Sequence, residues 1–512
     1  MSHLSWLRFR LMLLVIVTGF TVSTPLAGSI AQSPSPTSDS DQLEAVLPGA
    51  RDDIAAVIDD GLTAYSIDLT MSDGITAGHL TGTVDIAYVN DTGSSIDSLP
   101  FRLYANGTDD PITITSAEVD GDAVDPALSV DETVATLSFE DELAADATID
   151  ISLVFEAVVP FGNVIHYGIY GIDETEHTWA LAHWYPLVAG WVDGEGWELD
   201  PPSVNGDPIF STTSTYDVTI HAPADLQLVT SGVVTSHEVD DYTGAQTARF
   251  VTGPVRDFAI VADDDFILSS TEVDGTIVNS WYLPGEELNG AKVAEYAASA
   301  LAYYNEVIGP YPFAELDVVS IEVYGALGVE FPQLIYMARN YYTRDIDLDT
   351  PSALEFTVSH EVLHQWWYGM VGNNQYNHAF IDEGLTNFIS GDLYFRHIYG
   401  EEVGEEFSFQ AFRSSYDRKG GIREDQIVDQ PTDDFAGNSE YVYAMYFKGA
   451  VGFGEIEKEI GRDAFFAGLR LYFDRFRFGI AEPDDLLDCL EEASGTDLDT
   501  LWTQWFEESA PD

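Results

Sequence analysis

From His360 to Gly384 the chain reads HEVLHQWWYGMVGNNQYNHAFIDEG. Two histidines stand four apart, a glutamate follows the first, and an acid–glycine pair closes the stretch. On an α-helix, residues i and i+4 share a face, so His360 and His364 can aim imidazole nitrogens at one point. Glu361 lies about 100° further round, beside that point rather than on it. This is the geometry of a zinc site with an adjacent general base. A catalytic zinc needs a third protein ligand and an open position for water. Glu383 is the obvious third ligand. Eighteen residues separate it from His364, enough to finish one helix, turn, and start another packed against it. Two histidines and a glutamate favour zinc over other divalent metals.

Outward from this stretch the pattern is helical and mixed. TPSALEFTVSHEVLHQWW predicts a helix with Thr350 as N-cap and Pro351 at its first position. HAFIDEGLTNFISGDLYFRHIYG predicts a second, ending at Gly400, and SEYVYAMYFKGAVGFGEIEKEIG a third, capped by Ser439 and ending at Gly461. GAKVAEYAASALAYYNEVIG has helical spacing and LDVVSIEVYG reads as a strand. EPDDLLDCLEEASG and DLDTLWTQWFEES complete a helical C-terminus. Before about Phe266 the period is two. TVDIAYV sets Val84, Ile86 and Tyr88 on one face, TIDISLVFE does the same with Ile149, Ile151, Leu153 and Phe155, and YDVTI with Tyr216, Val218 and Ile220. Turn signals such as NDTGSS and NGD lie between, so an antiparallel β domain is expected. The expected fold is α+β and multidomain. A β domain at 61–266 precedes a mixed, helix-rich domain at 267–512, and 32–60 is expected to be a disordered linker, opening on QSPSPTSDSD.

The formal net charge is −68, with 88 acidic residues against 20 lysines and arginines. Such a charge excludes general affinity for nucleic acid or anionic membranes. Self-repulsion opposes compaction at low salt and is screened at high salt, so the composition reads as adaptation to concentrated salt. The alternative is an acidic extracellular protein steadied by calcium. DIDLDT (345–350) lacks the turn glycine and closing glutamate of an EF-hand loop and reads as a solvated acidic loop. Cys489 is the sole cysteine, so no intrachain disulfide is possible. Residues 1–31 read as a secretory signal: Arg8 and Arg10, an apolar run from Leu11 to Val22, then small residues at Ser29 and Ala31. Export is expected, with an uncleaved membrane anchor as the alternative.

HEVLHQW, eighteen spacer residues and a glutamate resemble the gluzincin aminopeptidases, the family of aminopeptidase N. The likeness extends to RDFAIVADDDF near Arg256, to YYNEVIGPYPFAELDVVSIEVYGALGVEFPQLIY, and to YFKGA (446–450). It is strong in the second half of the chain and weak in the first. It implies a β saddle beside a thermolysin-like catalytic domain. It also implies one Zn2+ held by His360, His364 and Glu383, with Glu361 taking the proton from a zinc-bound water. Tyr446, in the family's tyrosine-x-lysine-glycine segment, would donate to the oxyanion. GVEFP (Gly328 to Pro332) resembles the family's glycine-x-methionine-glutamate-asparagine segment, in which the glutamate binds the substrate's free amine. Glu330 is kept here, while Val329 and Phe331 replace methionine and asparagine. A further amine contact from the β domain is usual, and Glu176 is a candidate. The chain is expected to lack the large helical C-terminal domain of many members.

The resemblance implies peptides with a free N-terminus as substrates and an aminopeptidase as the activity. One rival is an endopeptidase on the same zinc site. The other is a non-catalytic surface or binding protein that keeps zinc for structure.

Overall fold

The computed structural model describes residues 39–509 apart from 73–76, 108–110, 163–168, 193, 207–208 and 347–349. The expected signal at 1–31 lies outside the described residues, as does half of the acidic loop at 345–350. The described residues form one compact unit.

Alternating strands build the first half. An eight-stranded sheet runs Val233–Asp240, Ala245–Val251, Ser214–Pro223, Thr63–Ser72, Ala77–Val89, Thr148–Pro160, Ile112–Val119 and Asp122–Ala123 in spatial order. Its two longest strands, Ala77–Val89 and Thr148–Pro160, pair along their whole length, Ala77 opposite Pro160 and Val89 opposite Thr148. Val84, Ile86, Tyr88, Ile151, Leu153 and Phe155 are buried on the inner face, while their sequence neighbours face outward, as a period of two demands. The sequence predicts an antiparallel domain, but one pair in this sheet departs from that. Thr63–Ser72 and Ser214–Pro223 pair parallel. No hairpin joins these two strands, so neither turn chemistry nor the alternation fixes their relative direction. Two four-stranded sheets, one centred on Ile260–Asp263 and Trp179–Leu181, the other on Ile96–Arg102 and Val134–Leu143, complete this part.

A separate five-stranded sheet opens at Ile267, ordered Ile267–Val273, Thr276–Tyr282, Glu315–Ile321, Leu334–Ala338 and Gly328–Phe331. Its middle pairs are parallel and its two outer pairs antiparallel, which leaves Gly328–Phe331 as an edge strand. The helix Glu287–Val307 packs on this sheet and on the helix Ala353–Leu363. Val293, Ala297, Ala300, Leu301 and Tyr304 are its buried stripe, spaced as one helical face. Tyr304 donates to the Ser359 carbonyl at 2.9 Å, which ties the two helices together at the residue before His360.

The expected linker is corrected from Asp39 onward. Arg51–Asp59 is a helix, Ala45, Val46 and Ile54 are almost fully buried, and Val46 bridges to Phe313. The Arg477 guanidinium holds both oxygens of Asp53, at 2.6 and 2.9 Å. Among its apolar residues only Ala45, Val46 and Ile54 are fully buried, while Leu43, Ala50, Val57 and Ile58 pack partly against the core, and such sparse burial leaves no periodic signal.

Candidate active site

The helix Ala353–Leu363 carries the two histidines at its C-terminal end, with His364 as C-cap. Its N-cap is Ser352, whose Oγ accepts from the Glu355 amide at 3.1 Å, and not Thr350 as the sequence suggests. Ser352 with Glu355 three residues later is the stronger capping pair. The next carrier is a continuous helical run from Glu383 to Tyr399, built of Glu383–Phe388, a π-helical stretch Ile389–Tyr394, and Phe395–Tyr399. It stops at Gly400, whose φ is 89°. The third carrier begins at Asn438, one residue before the expected cap, and passes through a π-helical stretch, Tyr443–Gly449, that holds Tyr446. Such widened turns disturb the regular ladder and recur at functional sites. The second and third carriers cross where Gly384 meets Gly449: a Cβ on either would stand 3.3 Å from the other's Cα. That close crossing brings the Tyr446 hydroxyl onto Glu383 Oε1 at 2.5 Å.

His360, His364 and Glu383 converge. His360 Nε2 lies 3.1 Å from His364 Nε2 and 3.1 Å from Glu383 Oε2, and His364 Nε2 lies 3.5 Å from Glu383 Oε2. Tetrahedral ligands about 2.05 Å from zinc are separated by about 3.3 Å, so the observed spacing fits that ion. Two imidazole nitrogens facing each other and a carboxylate are a donor set that a cation satisfies. Burial draws His360 below its ordinary pKa, which keeps its lone pair available. Burial would also lower His364, but Glu330 and Asp382 outweigh it and hold that imidazole well above its usual value. Burial would raise Glu383, yet its hydrogen bonds to both histidines hold it below the usual carboxylate range.

The other predicted residues gather in the same cavity, of about 310 Å³, which Gly328, Glu330, Glu361 and Tyr446 line together with His360 and Glu383. Glu361 folds over the edge strand so closely that a Cβ on Gly328 would stand 2.4 Å from its Oε1. Any side chain there would push the Glu361 carboxyl from its place. Along that strand Gly328 and Glu330 face the cavity, while Val329 and Phe331 are buried. Phe331 packs against Tyr336 and His183. The two positions that depart from the family segment therefore serve the core. Glu176 is not brought to the cavity: it pairs with Arg339 at 3.1 Å.

Sequence reading overlooked Asp382. Its Oδ1 lies 2.6 Å from His364 Nδ1, and Gln375 Nε2 donates to its Oδ2 at 2.5 Å. Lys448, nearly fully buried, was also passed over. Its ammonium reaches Asp425 Oδ2 at 2.7 Å and the carbonyls of Gln426 and Glu508 at 2.6 and 2.8 Å, which anchors the Tyr446 stretch. The tyrosine-x-lysine-glycine order was the available signal for it.

Comparison with known proteins agrees with this geometry. Residues 293–505 match the Peptidase family M1 domain. The chain is 26% identical over 247 residues to Aminopeptidase 2, mitochondrial, of Saccharomyces cerevisiae, covering 44% of this chain and 24% of that protein. It is 24% identical over 234 residues to Aminopeptidase N of Streptomyces lividans, covering 43% of this chain and 26% of that one. The matched stretch is thus about a quarter of each relative's length. Among solved structures, an M1 zinc metallopeptidase from Deinococcus radiodurans superposes with a TM-score of 0.61 at 16% identity, covering 88% of this chain and 96% of that chain. At that identity the likeness shows a shared fold.

Proposed function

We propose that this chain, whose residues 293–505 match the Peptidase family M1 domain, is a zinc-dependent aminopeptidase that removes the first residue from peptides. The observation that carries the reading is the convergence of His360, His364 and Glu383 in a cavity that Glu361, Glu330 and Tyr446 share. Zn2+ bound by those three residues supplies Lewis acidity and a nucleophilic water near neutral pH. Glu361, beside His360, takes the proton from the attacking water and delivers it to the leaving amine. Tyr446 presents its hydroxyl at the same point and donates to the oxygen on which negative charge develops. Glu330, buried at the cavity wall, pairs with the ammonium of a free N-terminus and sets the peptide so that its first carbonyl faces Glu361. The aminopeptidase names of the relatives support the same reading.

The test is a pair of assays on the zinc-loaded protein in concentrated salt. Peptides with a free N-terminus are expected to be cleaved and their N-acetylated forms to resist. Equal cleavage of both would leave an endopeptidase. Glu361→Gln is expected to keep one zinc per chain and to lose activity by about a hundredfold or more. Full activity in that variant, or active protein without metal, would overturn the zinc hydrolase itself.

A further inference from the structure

Glu383 and Tyr446 come from different helical runs, yet both must serve one point in the cavity. We propose that Asn387 is a positioning residue for Tyr446: its side-chain amide fastens the tyrosine's backbone to the run that carries Glu383, so that the metal ligand and the hydroxyl serving the oxyanion keep one spacing. This deepens the aminopeptidase reading and rests on it.

Asn387 stands four residues after Glu383, one turn along the same face. It is buried at the cavity wall. Its Nδ2 donates to the Tyr446 carbonyl, while the Tyr446 hydroxyl lies on Glu383 Oε1. One face of one run thus grips the tyrosine at both ends, backbone and hydroxyl. The crossing needs such a tie. The two runs meet at Gly384 and Gly449, and glycines offer no interlocking side chains to stop one run sliding on the other.

The π-helical stretch makes the carbonyl available. In a regular α-helix the Tyr446 carbonyl would accept from the amide of Ala450. Here that amide bonds the Phe447 carbonyl, and Asn387 donates to Tyr446 from the neighbouring run. On its other side the stretch is held by Lys448, which reaches Asp425 and the carbonyls of Gln426 and Glu508. None of these partners lies on the run Glu383–Tyr399. Lys448 therefore fixes the stretch in the molecule, whereas Asn387 fixes it to the ligand. The Tyr446 ring lies 6.1 Å from the His360 ring and 6.2 Å from the Tyr441 ring between centroids. Such ring contacts are weakly directional, so a shifted backbone carries the hydroxyl with it.

The experiment is a double-mutant cycle on the zinc-loaded protein, with kcat and KM measured for a free peptide in concentrated salt. Asn387→Leu removes the amide at nearly constant volume. It is expected to lower kcat about tenfold to a hundredfold, with KM within about twofold and one zinc per chain retained. In the Tyr446→Phe background, already slowed by the missing donor, the same change is expected to cost less than about twofold, because the group it positions is gone. Should Asn387→Leu fail to hold zinc, Asn387→Ser, whose side chain stops short of the carbonyl, carries the same expectations. Losses that multiply in the two backgrounds overturn the proposal, since a structural role acts with or without the hydroxyl. So does a loss confined to KM, or an unchanged kcat. Full activity in Tyr446→Phe removes the oxyanion role of Tyr446 and this proposal with it, and leaves the zinc hydrolase to the Glu361→Gln test.

Discussion

Asp382 illustrates how much of the site rests on a residue that touches no substrate. It grips His364 Nδ1 from below, and Gln375 grips Asp382 in turn. A ligating histidine held this way keeps one tautomer, with its other nitrogen turned to the metal. Asp382→Ala is expected to weaken zinc binding about tenfold to a hundredfold, measured by competition with a chromogenic chelator. Unchanged affinity would show that the Trp367 carbonyl, 3.2 Å from the same nitrogen, suffices. The contrast with the ligands explains what sequence could reveal. His360, His364 and Glu383 were legible because a helical period and a coordination number together dictate their spacing. Asp382 was not, because one more acid among 88 carries no pattern. Its role depends on the turn that brings Gln375 and Asp382 back beneath the helix.

Elements were legible where a period repeats and obscure where a long-range contact decides. The strands Ala77–Val89 and Thr148–Pro160 alternate over thirteen residues each, and that alternation suffices to find them. The π-helical stretches at 389–394 and 443–449 add a residue to a turn and keep the apolar stripe, so nothing in the pattern marks them. Arg256 is the clearest long-range case. Its buried guanidinium donates to the carbonyls of Tyr368 at 2.7 Å, Ser211 at 2.8 Å and Gly479. It thereby bolts the end of the strand region to the turn after the histidine helix and to the loop before the helix Pro483–Ser494. Burial pulls its pKa down to about 10, still charged at neutral pH. Arg256→Leu would take this donor from the Tyr368 and Ser211 carbonyls, at about 1–3 kcal/mol each, while the Gly479 carbonyl keeps the Gly372 amide at 3.1 Å. Denaturant unfolding is expected to show a loss of at least about 2 kcal/mol, with Arg256→Lys between the two because an ammonium lacks the planar fork. A loss under about 1 kcal/mol would mean that water replaces the bolt.

For the whole molecule, charge is the dominant variable. With a net −68, repulsion acts across the entire surface, and its range falls from about 10 Å at 0.1 M salt to about 3 Å at 1 M. Thermal melting is expected to shift upward by many degrees between 0.1 and 2 M sodium chloride. A flat or falling midpoint would show that the folded chain relieves its own repulsion without help from the solvent. Among the described residues, no helix is long and apolar enough to cross a membrane.

The segment between Asp41 and Asp59 adds an order in time. Asp41 pairs with Arg249 at 2.9 Å, Val46 bridges to Phe313, and Asp53 pairs with Arg477 at 2.6 Å. A ribosome makes this stretch early and its last partner hundreds of residues later. Its partners therefore arrive in turn, Arg249 first, then Phe313, and Arg477 last. The final clasp closes only after synthesis has reached Arg477, so a nascent chain halted before that point would hold this stretch through Asp41 and Val46 but leave Asp53 without its partner.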